Sequence, residues 1–189
     1  MNDADVFASV LSALDAARIP SMLTGSFAAT IYGRVRATRD IDFVIDADEQ
    51  QARTLVAALI ARGYYADEDA AIDAVRTQTP FNAIDPETGW KIDFIPRKSR
   101  AFSREEFERR KSMDLGGQRI DVASVEDTVI AKLEWAKLGE SERQIEDVVG
   151  ILRVQREAID RVYIERWVQS LGLQAQWTRA IESVEQHPS

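Results

Sequence analysis

Apolar side chains recur at helical spacing over residues 5–18, at Val6, Val10, Leu11, Leu14 and Ala17, and Pro20 closes the run. Ser21 to Thr24 reads as a short strand, Gly25-Ser26 as a turn, and Phe27 to Tyr32 as a short helix ending near Gly33. Residues 41–45 then form a strand. Asp48 caps a helix carrying Leu55, Leu59 and Ile60, and Gly63 stops it. The acidic stretch from Ala66 to Ala74 is poorly patterned and reads as a surface loop or short helical turn.

Strand patterning returns from Pro80 to Ile84. The segment Asp85-Pro-Glu-Thr-Gly89 is a hairpin connection into a strand from Trp90 to Ile95. A helix around residues 103–110 and a strand pair across Gly116-Gly117 follow. Beyond Ser124 the pattern is helical. Ser124 with Asp127 three positions on is an N-cap signal for a helix through Val125, Val129, Ile130, Leu133 and Leu138. Further helices are expected over 142–155, 159–171 and 174–185, with Trp135, Trp167 and Trp177 as helix-packing or core residues. The division expected is an α/β part over 1–122 and a helical region over 123–189 packed on it.

Composition narrows the chemistry. The 189 residues include no cysteine, and the single histidine, His187, stands two positions from the end. Disulfides, thiolate sites and histidine-based triads drop out, so a metal would be held by carboxylates, which favours Mg²⁺ or Mn²⁺. No stretch approaches a membrane span and the first residues lack a signal-peptide pattern, so a cytoplasmic location is expected. The net charge of −8 argues against broad nucleic-acid binding. Two basic clusters stand out: Arg34, Arg36 and Arg39, then Arg97, Lys98, Arg100, Arg104, Arg109, Arg110 and Lys111. They are read either as solvated charges or as groups facing a polyanionic substrate.

The candidate chemistry starts with two acids. In a strand, Asp40 and Asp42 project to one side while Ile41, Phe43 and Ile45 project to the other. Two like charges beside a buried face are costly unless a cation sits between them. A third acid, Asp93, shares a strand face with Lys91. If the two strands are neighbours, Asp40, Asp42 and Asp93 meet on one sheet face and can hold one or two divalent ions. Gly25 permits a tight turn before a helix, whose free N–H groups, with the Ser26 hydroxyl, make a phosphate cradle. Lys91 either neutralises the acids or contacts substrate. Lys132 is placed to reach a phosphate, and Asp147, one helix later, to pair with Lys132 or another cation.

In these residues the sequence resembles the nucleotidyltransferase superfamily that shares its core with DNA polymerase β. The matching pattern is Gly25-Ser26, then Arg39-Asp40-Ile-Asp42, then Lys91-Ile-Asp93. The phrase Arg36-Ala-Thr38-Arg39-Asp40-Ile41-Asp42 is closest to minimal members such as AbiEii-type toxins of toxin–antitoxin systems and some aminoglycoside nucleotidyltransferases. The resemblance implies an α/β (α+β) fold, a mixed twisted sheet flanked by helices and followed by a helical part. It implies metal binding by Asp40, Asp42 and Asp93, triphosphate binding by Gly25 and Ser26, and nucleotide binding by Lys132; Arg39, Lys91 and Asp147 join the expected nucleotide site. The later helix departs from the family pattern: its first acid has become Gln144 or is absent.

The activity expected is Mg²⁺- or Mn²⁺-dependent transfer of a nucleoside monophosphate from an NTP, ATP included, to an acceptor hydroxyl, releasing pyrophosphate. The acceptor is a tRNA end, a protein or an aminoglycoside-like small molecule. The alternative is a non-catalytic partner in a toxin–antitoxin pair, with a cognate antitoxin. A metal-dependent phosphoesterase fits less well, lacking the histidines common in such sites.

Overall fold

The computed structural model describes residues 3–33, 38–139 and 141–186, without the side chains of residues 3, 4 and 157. Arg34, Arg36 and His187 lie outside the described residues. Two compact units result: one of residues 1–24 and 38–122, the other of 25–37 and 123–189.

The first unit is built on a seven-stranded mixed sheet. Its strands are β1 (Ser21–Thr24), β2 (Asp40–Ile45), β3 (Tyr65–Ala66), β4 (Phe81–Ile84), β5 (Lys91–Pro96), β6 (Lys111–Leu115) and β7 (Gln118–Val122), in the order β3-β4-β5-β2-β1-β7-β6. Among the described residues, only β2–β5 and β1–β7 pair in parallel. The helices are α1 (Asp3–Ala16), α3 (Glu49–Ile60), α4 (Glu68–Thr77) and α5 (Ala101–Glu108). One face of the central strands is dry: Ile41, Phe43, Ile92 and Phe94 are fully buried. Phe94 stacks on Phe43 and Phe81, with centroids 6.4 and 5.1 Å away. Asp48 caps α3 in a full capping box with Gln51, as its place in the sequence predicts.

The second unit holds α2 (Gly25–Ile31), α6 (Val125–Gly139), α7 (Glu142–Gln155), α8 (Arg161–Leu171) and α9 (Gln174–Gln186). Ser124 caps α6, accepting from the Asp127 N–H at 3.2 Å and donating to its carboxylate at 2.6 Å. Asp127 also accepts from the Tyr163 hydroxyl at 2.6 Å, and Tyr32 donates to the Ala123 carbonyl at 2.7 Å. Gly33, at φ +128°, sits where a Cβ would lie 2.5 Å from Val154.

Two expectations are corrected. Residues 66–74 are not a loop: β3 leads into α4, ten residues long. Asp67 accepts from the Ala70 N–H, and Ala71, Ile72 and Ala74 supply a narrow buried stripe. Three acids at the helix start, favourable against its dipole, had masked that stripe. Trp135 is 54% exposed, unlike the buried Trp167 and Trp177, because α6 turns Ile130, Leu133 and Ala136 inward instead. No described helix is long and apolar enough to cross a membrane.

Candidate active site

The site face follows from strand register. The parallel β2–β5 ladder sets Asp40 opposite Lys91 and Asp42 opposite Asp93. Directly opposed residues point to the same side, with strands about 4.8 Å apart. The three acids and Lys91 therefore share one face, while Ile41 and Ile92 turn to the core. Asp42 and Asp93 are half-buried and Asp40 is exposed. Thr38 fixes the approach to β2: its hydroxyl accepts from the Asp40 N–H at 3.2 Å.

Lys91 is the local counter-charge. Its ammonium donates to Asp93 at 2.8 Å. This bond holds the lysine above its ordinary pKa, against the opposing effect of burial, and the charges of Asp93, Asp40 and Asp42 pull the same way. Of the two readings of Lys91, the neutralising one describes the contact observed. The donor set, carboxylates alone, suits a hard divalent cation. Among the described residues, however, no three acids or histidines converge as a metal-holding group.

The other expected residues are divided between the two units. Gly25, at φ +66°, and Ser26 open α2 in the second unit. Arg39 is exposed just before β2, and its carbonyl accepts from the Lys91 N–H at 3.0 Å. Lys132 is 3% exposed and forms a 2.7 Å ion pair with the buried Asp147, with a second bond to the Gln144 amide oxygen at 3.1 Å. The departure at Gln144 thus has a structural use: it supplies Lys132 with a neutral acceptor.

Arg97, Arg100 and Arg110 of the second basic cluster are committed to contacts within the fold. Arg97 forks onto Asp46 at 3.0 and 3.1 Å, Arg110 pairs with Asp121 at 3.0 Å, and both lie over the Phe107 ring. Arg100 bonds Ser103 and covers Phe102. Arg97 and Arg104 also line a cavity of about 290 Å³ at the far ends of β2 and β5 from the acids.

Two residues of the acid face escape a motif search. Thr24 of β1 stands opposite Asp42, and Asn82 of β4 stands opposite Asp93. The alternation of Phe81, Asn82, Ala83 and Ile84, folded across the Asp85–Gly89 hairpin, carries enough signal to find Asn82.

A family model described as aminoglycoside-2''-adenylyltransferase matches residues 6–147. No curated protein matches the sequence. Among solved structures, the antibiotic-resistance factor ANT(2'')-Ia in solution is 15% identical with a TM-score of 0.59, over 99% of this chain and 100% of that one. ANT(2'')-Ia in complex with adenylyl-2''-tobramycin is 16% identical with a TM-score of 0.58, over 93% and 97%. The lincomycin-bound lincosamide antibiotic adenylyltransferase LnuA is 15% identical with a TM-score of 0.54, over 80% and 96%. These likenesses show a shared nucleotidyltransferase fold. The AbiEii-type identity and the toxin–antitoxin role gain no support from them.

Proposed function

We propose that this chain, which belongs to the aminoglycoside-2''-adenylyltransferase family, transfers AMP from ATP to a hydroxyl of an amine-rich small molecule and releases pyrophosphate. The acceptor oxygen bonds to the α-phosphorus, the bond to the β-phosphate oxygen breaks, and pyrophosphate leaves. The observation that carries the reading is the register of Asp42 against Asp93 on parallel strands, with Asp40 two positions along the same face.

Asp40, Asp42 and Asp93 are the residues that would hold Mg²⁺ or Mn²⁺. A bound divalent ion supplies charge neutralisation on the triphosphate and acidifies the attacking hydroxyl. Asp93 is assigned the acceptor proton, taken at its carboxylate. Lys91 balances the acids until substrate arrives. Gly25 and Ser26 are assigned the triphosphate through the first N–H groups of α2. The buried pairing of Lys132 with Asp147 favours a structural role for both over direct nucleotide contact. In this reading residues 1–122 carry the chemistry, the α2 cradle included, and residues 123–189 form the helical region.

A small-molecule acceptor is favoured over a tRNA end or a protein. ANT(2'')-Ia is seen with adenylyl-2''-tobramycin and LnuA with lincomycin. The net charge of −8 draws an amine-bearing acceptor and disfavours RNA. The test is incubation with each labelled NTP, Mg²⁺, and separately tobramycin, lincomycin or tRNA. Labelled tobramycin, formed from ATP and lost in Asp42→Ala, is the expected result. Absence of transfer to any acceptor, with no ATP binding by calorimetry, would overturn it.

A further inference from the structure

The acid face does not end at β5. Two residue rows continue it outward across β4 and β3. One runs Thr24, Asp42, Asp93, Asn82; the next runs Asp40, Lys91, Ile84, Tyr65. Exposure agrees with register. Tyr65 is 67% and Ile84 39% exposed, and Asn82 is exposed, whereas Ala83 between them is fully buried on the other face. A sheet margin that turns an aromatic ring of the edge strand β3 and an isoleucine of its neighbour β4 to water, on the face that carries three acids, is costly for stability alone.

We infer that Asn82, Ile84 and Tyr65 form the floor on which the acceptor lies, with the reading of this chain as a nucleotidyltransferase as premise. The chemistry of the floor selects the ligand. The strand residues of β3 and β4 carry no basic side chain, and Lys91 is already bonded to Asp93, so a triphosphate finds no fresh counter-charge there. Exposed Asp67 and Asp69 follow β3 directly, adding negative charge where an amine-rich ligand would gain from it. Tyr65 offers a π-face to an ammonium-bearing ring, Ile84 an apolar contact, and Asn82 an amide that can donate to or accept from a ring hydroxyl. The occupant is therefore a cationic amino sugar or aminocyclitol, whose reacting hydroxyl is brought to Asp93 by the contact at Asn82.

The test is titration of the full-length protein with tobramycin, followed by amide NMR without nucleotide, beside steady-state transfer kinetics. Tobramycin should shift the amides of residues 65 and 82–84. Tyr65→Ala and Asn82→Ala should each weaken tobramycin binding about tenfold and raise its KM alike, with the KM for ATP unchanged, while Tyr65→Phe keeps wild-type affinity. Both substituted side chains, Tyr65 and Asn82, are exposed, so the variants keep the fold. Unchanged tobramycin affinity in both alanine variants, a change confined to the ATP KM, or no shift at β3 and β4 would each overturn the floor. Binding at the floor without any AMP transfer would leave the floor standing and overturn the proposed reaction instead; transfer without involvement of these residues would do the reverse.

Discussion

Lys91 and Asp93 lie two positions apart on one strand and close a 2.8 Å ion pair on the face that also carries Asp40 and Asp42. The lysine is thus a built-in cation for a cluster that would otherwise repel itself. Replacing it exposes what it does. In Lys91→Met, the thermal midpoint measured in chelator should fall by a few degrees, and added Mg²⁺ should raise it more than in wild type. The sign with pH is fixed by the upward shift. The contribution is whole below pH 10.5 and is lost as pH climbs through the folded-state value. An equal response to Mg²⁺ in both proteins would contradict this.

The Lys132–Asp147 pair predicts a different pattern. Removing one partner strands a charge among buried neighbours, so Lys132→Met should cost about 3–5 kcal/mol in urea denaturation. The double variant Lys132→Met/Asp147→Leu should regain most of that loss, because the isolated charge is gone. A double variant as unstable as the single would show that the pair does more than neutralise itself.

Tyr32 carries a pH signature. Burial, with Glu126 and Asp127 adding negative charge, raises its pKa to about 12. The folded state therefore keeps a proton that the unfolded chain releases above pH 10, and stability falls between pH 10 and pH 12. That loss, of order 3 kcal/mol in all, should be absent in Tyr32→Phe. The same variant loses the bond to the Ala123 carbonyl and about 1–2 kcal/mol at neutral pH. Alkaline denaturation series on both proteins measure the difference.

Gly33 should resist substitution. Its φ of +128° is open to glycine, and an added methyl would overlap Val154. Gly33→Ala is expected to lower stability by about 2–3 kcal/mol. Val154→Ala in that background should return only part of it, since the Val154 Cβ lies 2.6 Å from the added methyl and the backbone strain persists. Full rescue would assign the whole effect to the two γ-methyl groups of Val154.

Much of this was legible in the chain. Alternation around Asp42 and Asp93 gives both strands, and the segment Gly25-Ser26, Asp40-Ile-Asp42, Lys91-Ile-Asp93 gives the superfamily. Strand order was not legible, because parallel pairing of β2 with β5 is a long-range choice that no local pattern encodes. Tyr65 carries no sequence signal of its own and matters through what it stands opposite, whereas the alternation around Asn82 places that residue on the acid face once β4 is folded onto β5. The α4 helix hid behind its acidic start, whereas the pairing of Lys132 with Asp147, one of the readings their places in successive helices allowed, is the contact observed. Trp135 misled in the other direction: an aromatic residue at helical spacing need not fall on the buried stripe.

The pairing of Asp42 with Asp93 has a consequence for how the chain reaches its native state. The two acids are separated by α3, β3, α4 and β4, so they meet only when the parallel ladder closes, a slow class of contact. At that moment like charges converge. Because Lys91 travels on the same strand as Asp93, its neutralising charge arrives with the acid, and the ladder can zip without waiting for an ion from solution. Refolding should accordingly proceed at the same rate in chelator as in Mg²⁺, and become ion-dependent once Lys91 is removed.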